Sequence, residues 1–342
     1  IHIPDTIEIN DDIRRLTSVV CHSLSDVPDI IDTWNEGKVA DVEGYYENAK
    51  INRVYVDRVH VKKAFAEYTA AYNADDPKIK LKIDHTYRVA ALCERIAKAA
   101  GMCAYDVELA WLSGMLHDVG RFEQIKRYNT FSDADSVDHA KFGADLLFKD
   151  GLISTFLKGM VKCTGYKSGA LEDRYSSDGV FLYDRLNKSD IEMLELAIRC
   201  HNMYRIPQGL NRREQAFCNV LRDADKVDIF KVNIDTPLEE IYNTTTEELM
   251  KSDITDEVLE AFDEEHCILK AIRRTPADTV IGHVSLAYEL VYDESVRITV
   301  EQGYLAKLMH FHSDNEEINR KMAMVREKMD SYVKKRIGEK DA

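Results

Sequence analysis

Proline is scarce in this chain, with six residues in 342, and glycine reaches only fifteen. So few breakers leave room for long regular elements and exclude a fibrous or low-complexity chain. Strict alternation of polar and apolar residues, the mark of a half-buried strand, is almost missing. One short example, NRVYVDRVHV at 52–61, runs directly into the helix-like KKAFAEYTAAYN. No apolar run approaches the roughly eighteen residues of a membrane span, and no basic, hydrophobic leader is visible. The seven cysteines, at 21, 93, 103, 163, 200, 218 and 267, form no CxxC pair. That excludes a disulfide scaffold and favours reduced, buried thiols in a cytoplasmic setting. Positive charge is also in deficit. A net charge of −15 excludes nonspecific nucleic-acid binding and adhesion to an anionic membrane, since both need a cationic surface. A small anionic substrate needs only a local patch and stays open.

What is present is the 3.6-residue period. Helices are expected near 7–22, 56–73, 84–100, 105–117, 138–150, 152–161, 189–202, 212–232, 237–249, 255–273, 278–292 and 294–335. The fold class is therefore all-α. A core over 76–235 is expected between N-terminal accessory helices (1–75) and a C-terminal helical extension packed on it (236–342). The stretch TGYKSGALEDRYSSDG at 164–179 reads as a long loop, as does RFEQIKRYNTFSDADSVD after His117–Asp118. The stripe of Met, Val and Ile in the last helix suits packing or self-association, so a homo-oligomer is admitted.

Several polar residues fall on apolar helix faces. His85 shares its face with Val89 and Leu92. His117 and Asp118 follow Ala110 and Gly114, on a face of small residues that admits close neighbours. His139 precedes Phe142, Gly143 and Leu146, and His201 follows Ile191, Leu194 and Ile198. Asp223 aligns with Ala216, Val220, Val227 and Phe230; Asp225 has its own stripe through Leu221, Ile229 and Val232, and periodicity does not choose between them. Burying a bare carboxylate is very costly, so inward aspartates among inward histidines require a shared partner. A divalent cation meets that requirement. Imidazole with carboxylate suits Mn, Fe, Zn, Co or Ni, and the absence of cysteine from the set argues against a structural zinc site.

The order His85, His117–Asp118, His139, His201, Asp223 resembles the HD-domain superfamily of metal-dependent phosphohydrolases. The stretches LHDVGRFEQ, RCHNMYRIP and LRDADKVDI are similar to a little-characterised bacterial branch of it. The resemblance implies an HD-domain helical bundle with additional terminal helices. It also implies that His85, His117, Asp118 and Asp223 hold a first metal ion, the aspartate directly after the arginine being the one chosen. His139 and His201 match the extra histidines of dinuclear members, with Asp118 bridging. Dinuclear relatives that hydrolyse cyclic di-GMP carry two adjacent histidines where this chain has His201–Asn202, and this chain lacks their GYP motif.

The activity so implied is hydrolysis of a phosphomonoester or phosphodiester, nucleotide-like, by water activated at one or two divalent ions (Mn, Fe, Co, Ni, Mg or Zn). Asp118, Arg121 and Lys226 are the expected catalytic residues. Arg121 can take two phosphate oxygens at once. Gln124, Asn202 and Arg205 are expected to join Arg121 in binding a small phosphorylated substrate, with Glu123 and Arg127 at the rim. Two other readings use the same ligands: a mixed-valent di-iron oxygenase and a non-catalytic metal-binding sensor.

Overall fold

The computed structural model describes residues 56–157, 186, 188–237, 244–310 and 312–338. Capping residues fix where the helices start. Asp57 accepts the His60 amide at 2.9 Å and opens α1, Arg58–Thr69. Asp76 accepts the Lys78 amide at 2.8 Å and opens α2, Pro77–Ala99, whose leading proline gives up an N–H that a first turn leaves without a helical partner. There follow α3 (Ala104–Leu116), α4 (Val119–Tyr128), α5 (His139–Ala144, running into a π-helical turn at Asp145–Lys149), α6 (Ile153–Phe156), α7 (Lys188–Cys200) and α8 (Arg212–Asp235). A capping box of Asn211 and Glu214 starts α8. The C-terminal part supplies α9 (Thr246–Lys251), α10 (Asp256–Asp263), α11 (Pro276–Val284), α12 (Asp293–Gln302), α13 (Tyr304–Met309) and α14 (Glu316–Ile337). No strand occurs among the described residues, and the fold is all-α as the periodicity predicts.

Three expected boundaries change. The stretch after His117–Asp118, expected as a loop, contains α4, because Val119, Phe122 and Ile125 bury one face of it. The helix expected over 294–335 breaks at Gly303, which adopts φ 67°, and again after Met309. The helix expected over 255–273 stops at Asp263, and Glu265 follows with φ 53°. The expected helix at 7–22 and the expected loop at 164–179 lie outside the described residues.

The core is built on the antiparallel contact of α2 with α3, with α8 laid along both. Gly114 permits the α2–α3 approach, since a Cβ there would stand 2.6 Å from the Ala90 Cα. Phe65, Tyr68 and Phe122 pack edge to face at ring separations of 5.8 Å between α1 and α4. Phe65 and Phe122 are completely buried, each such burial contributing about 1.5–3 kcal/mol. The Tyr68 hydroxyl donates to the Val119 carbonyl at 3.0 Å, fixing the chain just beyond Asp118. On the far side, α12 and α13 pack against α8.

Candidate metal centre

The sequence places two of the polar groups mid-helix, His85 on α2 and Asp225 on α8, and the rest at helix ends. His117 terminates α3, Asp118 (φ −108°, ψ 16°) forms the break before α4, His139 opens α5, and His201 follows α7. Helix ends free these side chains from the cylinder and let them converge.

Each imidazole is oriented by what its Nδ1 meets. His117 Nδ1 lies 2.7 Å from the Gly114 carbonyl, and His201 Nδ1 lies 2.7 Å from the Ile198 carbonyl. A carbonyl only accepts, so both nitrogens carry the hydrogen. His85 Nδ1 is 2.6 Å from Asp228 Oδ2, and that carboxylate is clamped by Arg88 at 2.6 and 2.9 Å. Against the penalty of burial, those bonds hold the Asp228 carboxyl below its ordinary range, so it is ionised and accepts. His139 Nδ1 lies 2.7 and 2.9 Å from the two oxygens of Asp133, whose carboxyl is likewise held down against burial by His139 and Arg121. All four rings therefore have their donor on Nδ1 and, when neutral, a bare lone pair on Nε2.

Those lone pairs face each other. His85 and His117 bring their Nε2 atoms to 3.3 Å, and His139 and His201 theirs to 3.1 Å. Two acceptors at that distance repel unless an electrophile stands beside them. Burial depresses the affinity of His117 for protons and pushes His139 and His201 down to about 4. His85 goes the other way. Burial and Lys82 oppose its protonation, but bonds to Asp225 and Asp228 raise it, so positive charge is favoured at this spot.

Asp118 lies between the pairs. Its Oδ2 is 3.6 Å from His85 Nε2 and 3.5 Å from His117 Nε2, and its Oδ1 is 3.6 Å from His139 Nε2 and 3.8 Å from His201 Nε2. Asp225 Oδ1 joins the first pair, 3.2 Å from His85 Nε2 and 3.9 Å from His117 Nε2. The donor set suits divalent metal: His85, His117 and Asp225 lie close enough to share an ion, as do His117, Asp118 and His201, and His139 stands beside Asp118 and His201.

Asp223 does not belong to this set. Its carboxylate accepts the Val291 amide at 2.9 Å, the Tyr292 amide at 3.0 Å and the Ser295 hydroxyl at 2.7 Å, anchoring the start of α12 to α8. Burial raises its pKa. Two residues on a helix are about 200° apart, so only one of Asp223 and Asp225 can face the histidines. Asp223 is buried against α12 and Asp225 is partly buried beside the histidines, so each has an inward stripe and periodicity left them equal.

A cavity of about 570 Å³ opens over the cluster. Arg121, Lys226 and Asn202 line it. Arg121 Nη1 donates to Gln124 Oε1 (2.7 Å), the Phe131 carbonyl (2.7 Å) and Asp133 Oδ1 (3.0 Å). Its Nε is buried with no hydrogen-bond partner among the described residues, 3.7 Å from Asp118 Oδ1. Lys226 is 8% exposed and makes no hydrogen bond or ion pair among the described residues; burial and Arg222 push it down to about 8. Gln124 and Arg205 do not reach the cavity. The Gln124 amide is buried and bound to Asp133, Ser136 and the Val137 carbonyl, and Arg205 lies over the Tyr204 ring beside a neighbouring depression. Glu123 and Arg127 pair with each other at 2.9 Å, away from the lining.

Other residues around the site were not singled out from the sequence. Lys82, three residues before His85 on the same helix face, donates to Asp118 Oδ2 at 2.7 Å. Asp228, three residues after Asp225, repeats that spacing behind His85. Helical spacing from an identified ligand could have found both. Arg222 donates to the Met203 and Tyr204 carbonyls and so fixes the turn that carries His201. The far wall comes from Cys267, Ile268, Leu269, Leu286 and Glu289, remote in sequence and without a motif.

The HD domain family model matches residues 83–272, more than half of the 342-residue chain. This chain belongs to the HD domain family, whose members bind divalent metals and are in general metal-dependent hydrolases. No curated protein and no solved structure matches it. No described helix is long and apolar enough to cross a membrane.

Proposed function

We propose that the chain is a metal-dependent phosphohydrolase that cleaves a small, nucleotide-like phosphomonoester or phosphodiester. The observation that carries this reading is the two facing pairs of Nε2 atoms with Asp118 between them, beside a cavity lined by Asp118, Asp225, His139 and His201 together with the cations Lys82, Arg121 and Lys226. Divalent ions held by His85, His117, Asp118, Asp225, His139 and His201 would supply Lewis acidity, activating water and neutralising phosphoryl charge.

The chain's own side chains account for substrate binding. The partnerless Nε of Arg121 is a donor for a phosphoryl oxygen, next to an arginine fork already fixed by Asp133 and Phe131. Lys226 remains protonated at neutral pH and offers N–H groups to the phosphate or the departing ester oxygen. Lys82 adds a third cation and lies over the Phe131 ring at 5.5 Å. Ile229, Ile268 and Leu286 give the organic part an apolar wall that excludes water. Glu289 is an acceptor on that wall for a hydroxyl or amino group of the substrate. On a chain of net charge −15, this cationic cavity gives an anion a local address.

Protein loaded with Mn, Co or Ni is tested against p-nitrophenyl phosphate, bis-p-nitrophenyl phosphate and nucleoside monophosphates. Turnover that disappears on chelation and in H117A and D118A is expected. No turnover on any of these esters with the ions bound contradicts the reading. Iron-dependent oxygen consumption would replace it with the oxygenase.

A further inference from the structure

We infer that Asp133 is the positioning residue of the second ion site, and that it ties that site to the substrate-facing arginine. The inference rests on the proposed pair of ions. Asp133 sits in the loop at 129–138 between α4 and α5, which starts at Asn129 in a left-handed conformation (φ 51°). Its two oxygens gather donors from four residues. His139 Nδ1 approaches both, at 2.9 and 2.7 Å. Arg121 Nη1 and Gln124 Nε2 bond Oδ1, each at 3.0 Å, and Asn202 Nδ2 bonds Oδ2 at 3.2 Å.

One carboxylate thus fixes a proposed ligand ring, the guanidinium that faces substrate, and the residue after His201. The bond to His139 Nδ1 sets the tautomer that leaves Nε2 bare and makes the ring more basic toward a cation. The first ion site has its own counterpart in Asp228 behind His85. Each pair of histidines therefore contains one ring backed by a carboxylate and one backed by a backbone carbonyl. Asp228 is 1% exposed, whereas the Asp133 side chain is 30% exposed, so the second site has the more accessible support. Asn202, where the dinuclear relatives carry a second histidine, is engaged in this support: its amide bridges Asp133 and Asp138, at 3.2 and 2.9 Å. The second site as proposed would draw on His139, His201 and Asp118, leaving His85, His117, Asp118 and Asp225 to the first.

The test is stepwise Mn titration of wild-type, D133N, D138N and N202A proteins, followed by calorimetry and by the spin-coupled signal of adjacent Mn ions. Wild type is expected to take two ions. D133N is expected to keep the first with unchanged affinity, bind the second about 10- to 100-fold more weakly, and lose the coupled signal at stoichiometric metal. D138N, altered beside the ring but not bonded to it, is expected to keep both ions. N202A, which removes one bond to Asp133 and disturbs the loop least, is expected to weaken the second ion severalfold even if D133N fails to fold. Two ions in wild type with unchanged affinities in D133N, or in N202A should D133N not fold, overturn this inference alone. A wild-type chain that takes up no second ion overturns it together with the ion pair on which it rests.

Discussion

Replacing Gly120 by alanine sets two physical effects against each other, and the structure decides between them. Gly120 lies in the first turn of α4, where helix propensity alone favours alanine by about 0.5–1 kcal/mol. A Cβ at this position would stand 2.5 Å from the His139 carbonyl oxygen, 2.7 Å from the Gly143 nitrogen and 2.9 Å from the Gly143 Cα. All three obstacles are backbone, so no rotamer change relieves them. Ordinary contact begins near 3.4 Å, which leaves about 0.9 Å to be made up by parting α4 from α5. Overpacking of this kind costs about 1–3 kcal/mol, and rigid obstacles place it at the upper end. The clash wins, and a net loss of about 1–2 kcal/mol is expected, lowering the Tm of a chain this long by about 1–3 °C. The displaced backbone carries His139, so the second ion should also weaken. Differential scanning calorimetry with and without Mn measures both effects. A Gly120→Ala protein as stable as wild type, or more so, with both ions retained, would refute the close approach of α4 and α5 and with it the placement of His139 beside Asp118.

Other outcomes follow from the same geometry. D225N should lose the first ion and at least about 100-fold of the proposed activity while D223N keeps both ions, the latter losing about 1–3 kcal/mol of stability from the unmade bonds to α12; metal content and urea unfolding separate the two. K226M should raise KM for the phosphorylated substrate about tenfold or more with ion content unchanged, because Lys226 is a buried cation with no hydrogen bond or ion pair among the described residues. In chelator-treated protein, His139 and His201 have folded-state pKa values of about 4 against an ordinary 6.5, so the unfolded chain takes up their protons first. Their contribution is complete above pH 6.5 and is lost as pH falls towards 4, by up to about 3 kcal/mol each. His85, shifted upward, runs in the opposite sense, and urea unfolding at pH 7 and pH 5 should still show lower stability at pH 5.

The bundle was legible because burial imposes the 3.6-residue period on nearly every helix, and the small residues around Gly114 marked one place where backbones touch. The histidines were legible for a related reason: each lies on or next to an apolar face, where an imidazole needs a partner. Periodicity failed where two neighbouring residues both face inward for different reasons, as with buried Asp223 and partly buried Asp225. It also failed where a polar side chain completes a loop, since nothing local distinguishes Gln124 bonded to Ser136 from a glutamine reaching a substrate. The wall formed by Ile268, Leu269 and Glu289 depends on contacts across more than forty positions of chain from Asp225, a separation that no local pattern encodes.

The most direct measurement is anomalous diffraction from a crystal of the Mn-loaded protein. Two peaks are predicted, one among His85, His117, Asp225 and Asp118 Oδ2, and the other among His139, His201 and Asp118 Oδ1. Density away from these side chains, or no ion in contact with Asp118, would contradict the account.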